Sequence, residues 1–133
     1  MNPSQASPGD ALPALSHRVE PADMARLAEI LRDPNPIHLD PAAATALGLG
    51  DRVVNQGPAN LAYIVNMLVA ALPGHRLVEL DSRYLANVFG GDLVEAGGTI
   101  TSVTDGAIEC ETWLKRGEGI VAVFAKATLV PRA

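Results

Sequence analysis

The eighteen residues GPANLAYIVNMLVAALPG, running from Gly57 to Gly74, decide the architecture. Gly57-Pro58 reads as a helix start, because proline fits the first turn, where a backbone N–H would have no partner. From Ala59 to Leu72 the apolar residues Leu61, Ala62, Ile64, Val65, Met67, Leu68, Val69 and Leu72 fall nearly all round the predicted helix. Such a helix belongs in a core rather than on a surface. Pro73-Gly74 ends it. The run is interrupted by Asn66 and is shorter than the roughly 20 residues that span a bilayer. The rest of this chain must therefore bury it.

Downstream, the sequence changes period. Ala107 to Leu114 alternates, with Ile108, Cys110 and Leu114 on one face and Glu109 and Glu111 on the other. Trp113 falls on the glutamate face. Arg76–Leu85 and Leu93–Val103 are two further strands, and Gly119–Val130 reads as a strand buried on both faces. Gly90-Gly91-Asp92, Asp105-Gly106 and Gly117-Glu118-Gly119 are the turn signals between them. The sum is an α+β fold in which an antiparallel sheet wraps around one central buried helix. Upstream, residues 1–15 are rich in Pro, Ser, Gly and Ala and are expected to be a flexible lead-in, with a single domain over 16–133. Ser16–Glu20 reads as a short first strand and Pro21–Leu31 as an amphipathic helix. Asp40-Pro41 starts an alanine-rich helical turn over Ala42–Leu47.

The whole chain of 133 residues is 48% hydrophobic, enough for one domain with its own core. A net charge of −5 argues against nucleic-acid binding, which usually leaves a basic footprint. The single cysteine, Cys110, excludes an intrachain disulfide and a multi-cysteine zinc site, and suits a reducing cytoplasm. The three histidines stand far apart and near no cysteine, so no metal-ligand spacing exists. No secretory signal or membrane span is visible. A soluble cytoplasmic protein without metal or cofactor is expected.

Chemistry concentrates in Asp33-Pro34-Asn35-Pro36-Ile37-His38. Two prolines stiffen the loop, which limits the entropy lost in holding a carboxylate and an imidazole together. That pair can hold one water and exchange protons with it, as a hydration requires. Singly, Asp33 also suits a turn cap and His38 a structural histidine; the shared Asn-Pro-Ile-His setting favours catalysis. Asn35 and Pro36 are read as loop support and Asp40 as a helix cap. The Gly57 amide, at a helix N-terminus, has no intrahelical acceptor and is a candidate oxyanion donor, or else a tight-turn glycine. Gln56 and Tyr63 are weaker candidates for substrate contacts. Asn60, Asn66 and Tyr63 tie the helix to its surroundings or line an acyl pocket, the tie being preferred. Arg83, Lys115, Arg116 and Lys126 are candidate phosphate contacts, or simply solvated.

The run Asp33 to Pro41, followed by Ala42, Ala43 and Ala44, resembles the signature of the MaoC-like dehydratases, or (R)-specific enoyl-CoA hydratases. The similarity extends from about Ser16 to Pro131. The helix after Gly57 resembles the family's central helix, and Arg83-Tyr84-Leu85 with Gly91-Asp92 its following strand and turn. The resemblance implies a hot-dog fold, a homodimer or dimer of dimers, and hydration of a trans-2-enoyl thioester carried by CoA or acyl carrier protein. It implies Asp33 and His38 as the water-activating dyad and Gly57 as the oxyanion-hole glycine. Two positions depart from the family's usual pattern: Leu31-Arg32 stands where Ser-Gly is usual, and Gln56 where His is usual. A hot-dog thioesterase and a non-catalytic acyl-binding or partner subunit are the competing readings. A thioesterase has no need of the Asn-Pro-Ile-His arrangement.

Overall fold

Proline at the start and Leu72 at the end set the long helix α3 at Gly57–Ala71. The computed structural model describes residues 5–117 and 119–133. Before α3 come strand β1 (Ala11–Arg18), helix α1 (Pro21–Leu31), a single 3-10 turn at Pro36–His38 and helix α2 (Pro41–Ala46). After it come β2 (His75–Tyr84), β3 (Leu93–Thr104), β4 (Ala107–Arg116) and β5 (Ile120–Pro131). The five strands form one antiparallel sheet in the order β1-β3-β4-β5-β2, with β1 and β2 at its edges. Among the described residues no helix is long and apolar enough to cross a membrane.

The sheet wraps around α3. Ile64, Met67, Leu68 and Ala71 of the helix are buried, and they share one core with Val94, Ile100, Ile108, Cys110, Leu114, Ala125 and Leu129 from the strands. The β4 alternation holds: Ile108, Cys110, Thr112 and Leu114 point inward, while Glu109 and Glu111 face out. Burial pushes the Cys110 thiol up to about 11.

Three expectations are corrected. The flexible lead-in gives way to strand at Ala11, not Ser16, because Leu12 seats in the core and β1 pairs with β3 from Ala11↔Thr99 to Arg18↔Leu93. Pro13 is tolerated because the register shifts between Leu12 and Leu15, on an edge strand, where a missing N–H breaks no ladder. Residues 1–4 of that lead-in, and Glu118 of the predicted turn, lie outside the described residues. Second, α3 is buried on one face only: Ala62, Asn66, Val69 and Ala70 are exposed. Third, β5 alternates rather than burying both faces, with Val123, Ala125, Ala127 and Leu129 inward and Lys126 exposed. The last two have one cause. The sheet carries a helix on its inner face alone, so each element has one dry side.

β3 approaches its neighbours closely at Gly97-Gly98. The Trp113 indole lies where a Gly97 side chain would stand, 3.1 Å from its Cβ position. A Cβ on Gly98 would lie 2.6 Å from the Glu111 carbonyl oxygen and 3.1 Å from Leu12 Cδ1. Backbone cannot yield as a flexible side chain can. Gly98→Ala is therefore expected to lower the unfolding free energy by about 2 kcal/mol, within the range for overpacked cores. Urea denaturation checks this, and an unchanged midpoint would contradict the close β3–β4 approach.

Candidate active site

The end of α1 and the start of α3 build the site. Arg32 terminates α1 in the left-handed conformation (φ 52°, ψ 43°), and its N–H donates to Glu29 O at 3.2 Å. The Asp33 N–H then donates back to Ala28 O at 3.0 Å, which turns the chain out of the helix. Asp33 Oδ1 accepts from the Asn35 N–H (3.2 Å), and Asn35 Oδ1 accepts from the Ile37 N–H (3.3 Å). Asn35 thus caps the 3-10 turn that Pro36 begins, and the turn delivers His38. Asp40 caps α2 through the Ala42 N–H at 2.9 Å.

His38 is 8% exposed. Its Nδ1 lies 2.6 Å from the Val54 carbonyl oxygen. A carbonyl only accepts, so Nδ1 carries a hydrogen; in the neutral imidazole the lone pair is then on Nε2. Nε2 faces Asp33 Oδ2 at 3.5 Å. The Asp33 carboxylate is partly open, in a shallow groove of about 520 Å³ lined by Ala25, Ala28, Arg32, Pro34 and Leu39. The predicted pair is thus brought together, with the imidazole held from behind and the carboxylate reachable from solvent. Arg32 is exposed and makes no ion pair with Asp33 among the described residues.

Val54 also joins this loop to α3. Its N–H donates to Ile37 O at 2.8 Å, so two hydrogen bonds lace Val54 to the Ile37-His38 segment. Three residues on is Gly57, the first residue of α3, whose amide lacks an intrahelical acceptor. A Cβ at Gly57 would stand 3.2 Å from Cζ and Oη of Tyr84, so a phenol ring already occupies that space.

Gln56 and Tyr63 lie elsewhere. Gln56 is buried and its Nε2 donates to Met24 O at 2.8 Å, which ties α1 to the start of α3. Asn55 Nδ2 donates to Asn60 Oδ1 at 2.8 Å and to the Tyr63 hydroxyl at 3.3 Å. Burial, more than any other influence, raises the Tyr63 phenol above its ordinary pKa. Both residues line a cavity of about 290 Å³ between α1 and α3, with His17, Met24 and Leu27, and neither Asp33 nor His38 borders it. Of the tie residues, Asn60 binds the entry loop and Asn66 is exposed. Lys115 and Arg116 lie over the rings of Trp113 (4.7 Å) and Phe89 (5.4 Å); Arg83 and Lys126 are exposed. Among the described residues no three His, Cys, Asp or Glu side chains group as a metal site.

Two groups beside these residues leave little mark in the sequence. The Val54 carbonyl has no sequence signal, being backbone. Tyr84 was visible only as part of Arg83-Tyr84-Leu85.

Residues 3–117 match the family model described as MaoC like domain. The structure is similar to that of an (R)-hydratase from A. caviae involved in PHA biosynthesis, at 26% identity and TM-score 0.88, covering 96% of this chain and 98% of that one. It is similar also to the R-hydratase PhaJ1 from Pseudomonas aeruginosa (20%, TM-score 0.86, covering 97% and 84%). The ChsH1-ChsH2 complex from Mycobacterium tuberculosis is a third structural relative (22%, TM-score 0.83, covering 94% and 98%). Among curated proteins, none matches the chain significantly.

Arg32 holds a backbone angle that favours glycine. Arg32→Gly is expected to stabilise the fold by about 0.5–1 kcal/mol, the relief of left-handed strain being partly offset by unfolded-chain entropy. Thermal unfolding should show a midpoint raised by about 2 °C for a domain of this size. A lowered midpoint would mean that the arginine side chain contributes more than its backbone costs.

Proposed function

Because the chain belongs to the MaoC-like domain family and has the hot-dog fold, we propose that it is an (R)-specific enoyl-thioester hydratase, working reversibly as a 3-hydroxyacyl-thioester dehydratase. The observation that carries this is the Asp33–His38 pair, with Nε2 3.5 Å from Oδ2 and Nδ1 committed to Val54 O. A neutral imidazole in this tautomer and a carboxylate turn two acceptors toward each other, an arrangement suited to a water that donates to both.

The water oxygen bonds to C3 of the enoyl group while the dyad takes one of its protons. The π electrons of C2=C3 move toward the thioester carbonyl, whose oxygen gains enolate charge. In this reading the Gly57 N–H, at the positive end of α3, donates to that oxygen. The dyad then returns a proton to C2. The elements of water have been added, and Asp33 and His38 finish in their starting states. The step needs no metal and no redox cofactor. A CoA or acyl-carrier-protein thioester in the cytoplasm is the substrate class this reading carries.

The same reading includes a homodimer. β2 is an edge strand, and Val69, Val78 and Leu85 are exposed beside it or on the open face of α3. A second copy is the commonest cover for such an edge. Light scattering at micromolar concentration is expected to give at least twice the 13.9 kDa of one chain. A monomer mass would remove the dimer.

Crotonyl-CoA is the first substrate to test. Loss of enoyl absorbance without thiol release is the expected result; thiol release would indicate a thioesterase, and no change across a panel of enoyl-CoAs a binding role. Asp33→Asn and His38→Ala are each expected to lower kcat about 100- to 10,000-fold, the usual range for a general acid–base group. Since the two act as a unit, the double variant should be little worse than the worse single one. Near-normal turnover in both single variants would sink the dyad mechanism and leave the family and fold untouched.

A further inference from the structure

We propose that the Tyr84 hydroxyl is a second hydrogen-bond donor to the thioester carbonyl oxygen that the Gly57 amide receives, which makes Tyr84 a catalytic residue of the hydration. This rests on the hydratase reading and adds to it a side chain from the sheet.

The geometry begins at Gly57. The Tyr84 ring meets that residue with its phenolic end: Cζ and Oη are each 3.2 Å from the Cβ position and Cε1 is 3.4 Å. In any residue the backbone N lies about 2.5 Å from that Cβ position, so Gly57 N and Tyr84 Oη are at most about 5.7 Å apart. One oxygen accepting two hydrogen bonds of about 2.9 Å bridges that distance. The glycine is therefore more than a helix start. It leaves room for the phenolic end of Tyr84 within that distance of the first amide of α3.

Tyr84 is also well anchored. It is the last residue of β2 and pairs with Val123. The next two amides, of Leu85 and Ala86, both donate to Ala122 O, at 2.7 and 3.2 Å. The backbone that carries the ring is thus fixed to the sheet, while the side chain is 53% exposed. Among the described residues the hydroxyl has no protein partner, so its donor is free for a ligand. A phenol is protonated at neutral pH already, and desolvation raises this one further above its ordinary pKa.

The chemistry asks for such a donor. As water adds at C3, the electron pair of the double bond is carried onto the carbonyl oxygen, and it returns to C2 when that carbon is protonated. A donor aimed at this oxygen binds the enolate more tightly than the ground-state carbonyl, and so lowers the barrier without itself losing its proton.

Tyr84→Phe tests the role, because it keeps the ring against Gly57 and removes only the hydroxyl. Turnover with crotonyl-CoA is expected to fall on the order of 100-fold, the scale for losing one oxyanion donor, with KM changed less than about threefold. A second readout uses butyryl-CoA, which has no double bond to hydrate, labelled with ¹³C at its carbonyl. Isotope-edited infrared spectra should show a carbonyl band lowered in frequency on binding to the wild-type protein, and less so on binding to Tyr84→Phe. Unchanged turnover together with an unchanged band overturns the proposal. Reduced turnover with an unchanged band also overturns it, since the tyrosine would then act only through packing. If the wild-type protein hydrates no enoyl-CoA yet the band still depends on Tyr84, the hydration reading falls and the donor role stands.

Discussion

The contact on which the rest of the site depends is the hydrogen bond from His38 Nδ1 to the Val54 carbonyl, at 2.6 Å. It commits Nδ1 to a backbone acceptor and turns Nε2 toward Asp33. It also holds the proline loop to the segment that opens α3. The reciprocal bond from the Val54 N–H to Ile37 O, 2.8 Å long, makes the attachment two-stranded. His38 and Val54 are both buried, so breaking the contact would strand a buried carbonyl, a loss of about 1–3 kcal/mol. His38 is therefore a structural pin between the proline loop and the approach to α3.

The segment it grips is itself pinned from the other side. The Gly90 N–H donates to Val53 O (2.9 Å) and the Asn55 N–H to Val88 O (2.7 Å), with a β-bridge between Val54 and Phe89. Asp92 closes that turn, accepting from the Phe89 N–H at 2.9 Å and from Arg52 Nη1 at 2.8 Å. Val19 bonds two residues of the same turn: its N–H donates to Asp92 O and its carbonyl accepts from the Gly91 N–H, each at 2.8 Å. The turn before β3 thus joins the end of β1 to the approach to α3, and through Val54 to the Ile37-His38 segment. The Gly90-Gly91-Asp92 signal was readable as a turn; its role as the junction of three segments came only from the fold.

How much was legible follows from the range of each interaction. α1 was read over Pro21–Leu31 and the structure has the same bounds, because proline entry and apolar spacing act within a few residues. β4 was read from its alternation for the same reason. β1 was read too short. Its first half looks like linker by composition and becomes strand through pairing with Thr99 and Gly98, some 86 to 88 residues away. The all-round burial expected of α3 failed because hydropathy reports what a surface prefers, not whether a partner in the same chain covers it. In the site, Asp33 and His38 were legible since two prolines and five residues of spacing hold them together. The Val54 carbonyl was not, because a backbone acceptor sixteen residues away leaves no mark on residue type. Tyr84 was quoted only as part of a strand, since nothing local tells a phenol packed on a helix start from one in solvent.

Gln56 shows how a departure from a family's usual residue can be absorbed. Its Nε2 donates to Met24 O in the first half of α1, while its backbone leads directly into Gly57. α1 carries Asp33 just past its C-terminal end. The Gln56 bond and the His38–Val54 bond therefore flank Asn55 and tie the two ends of the site into one body: the carboxylate through α1, the imidazole through Val54, the Gly57 amide through both. Gln56 Oε1 is left buried without a protein partner among the described residues. The Gln56 bond ties α1 to the start of α3, and with it sets the separation between Asp33 and the Gly57 amide.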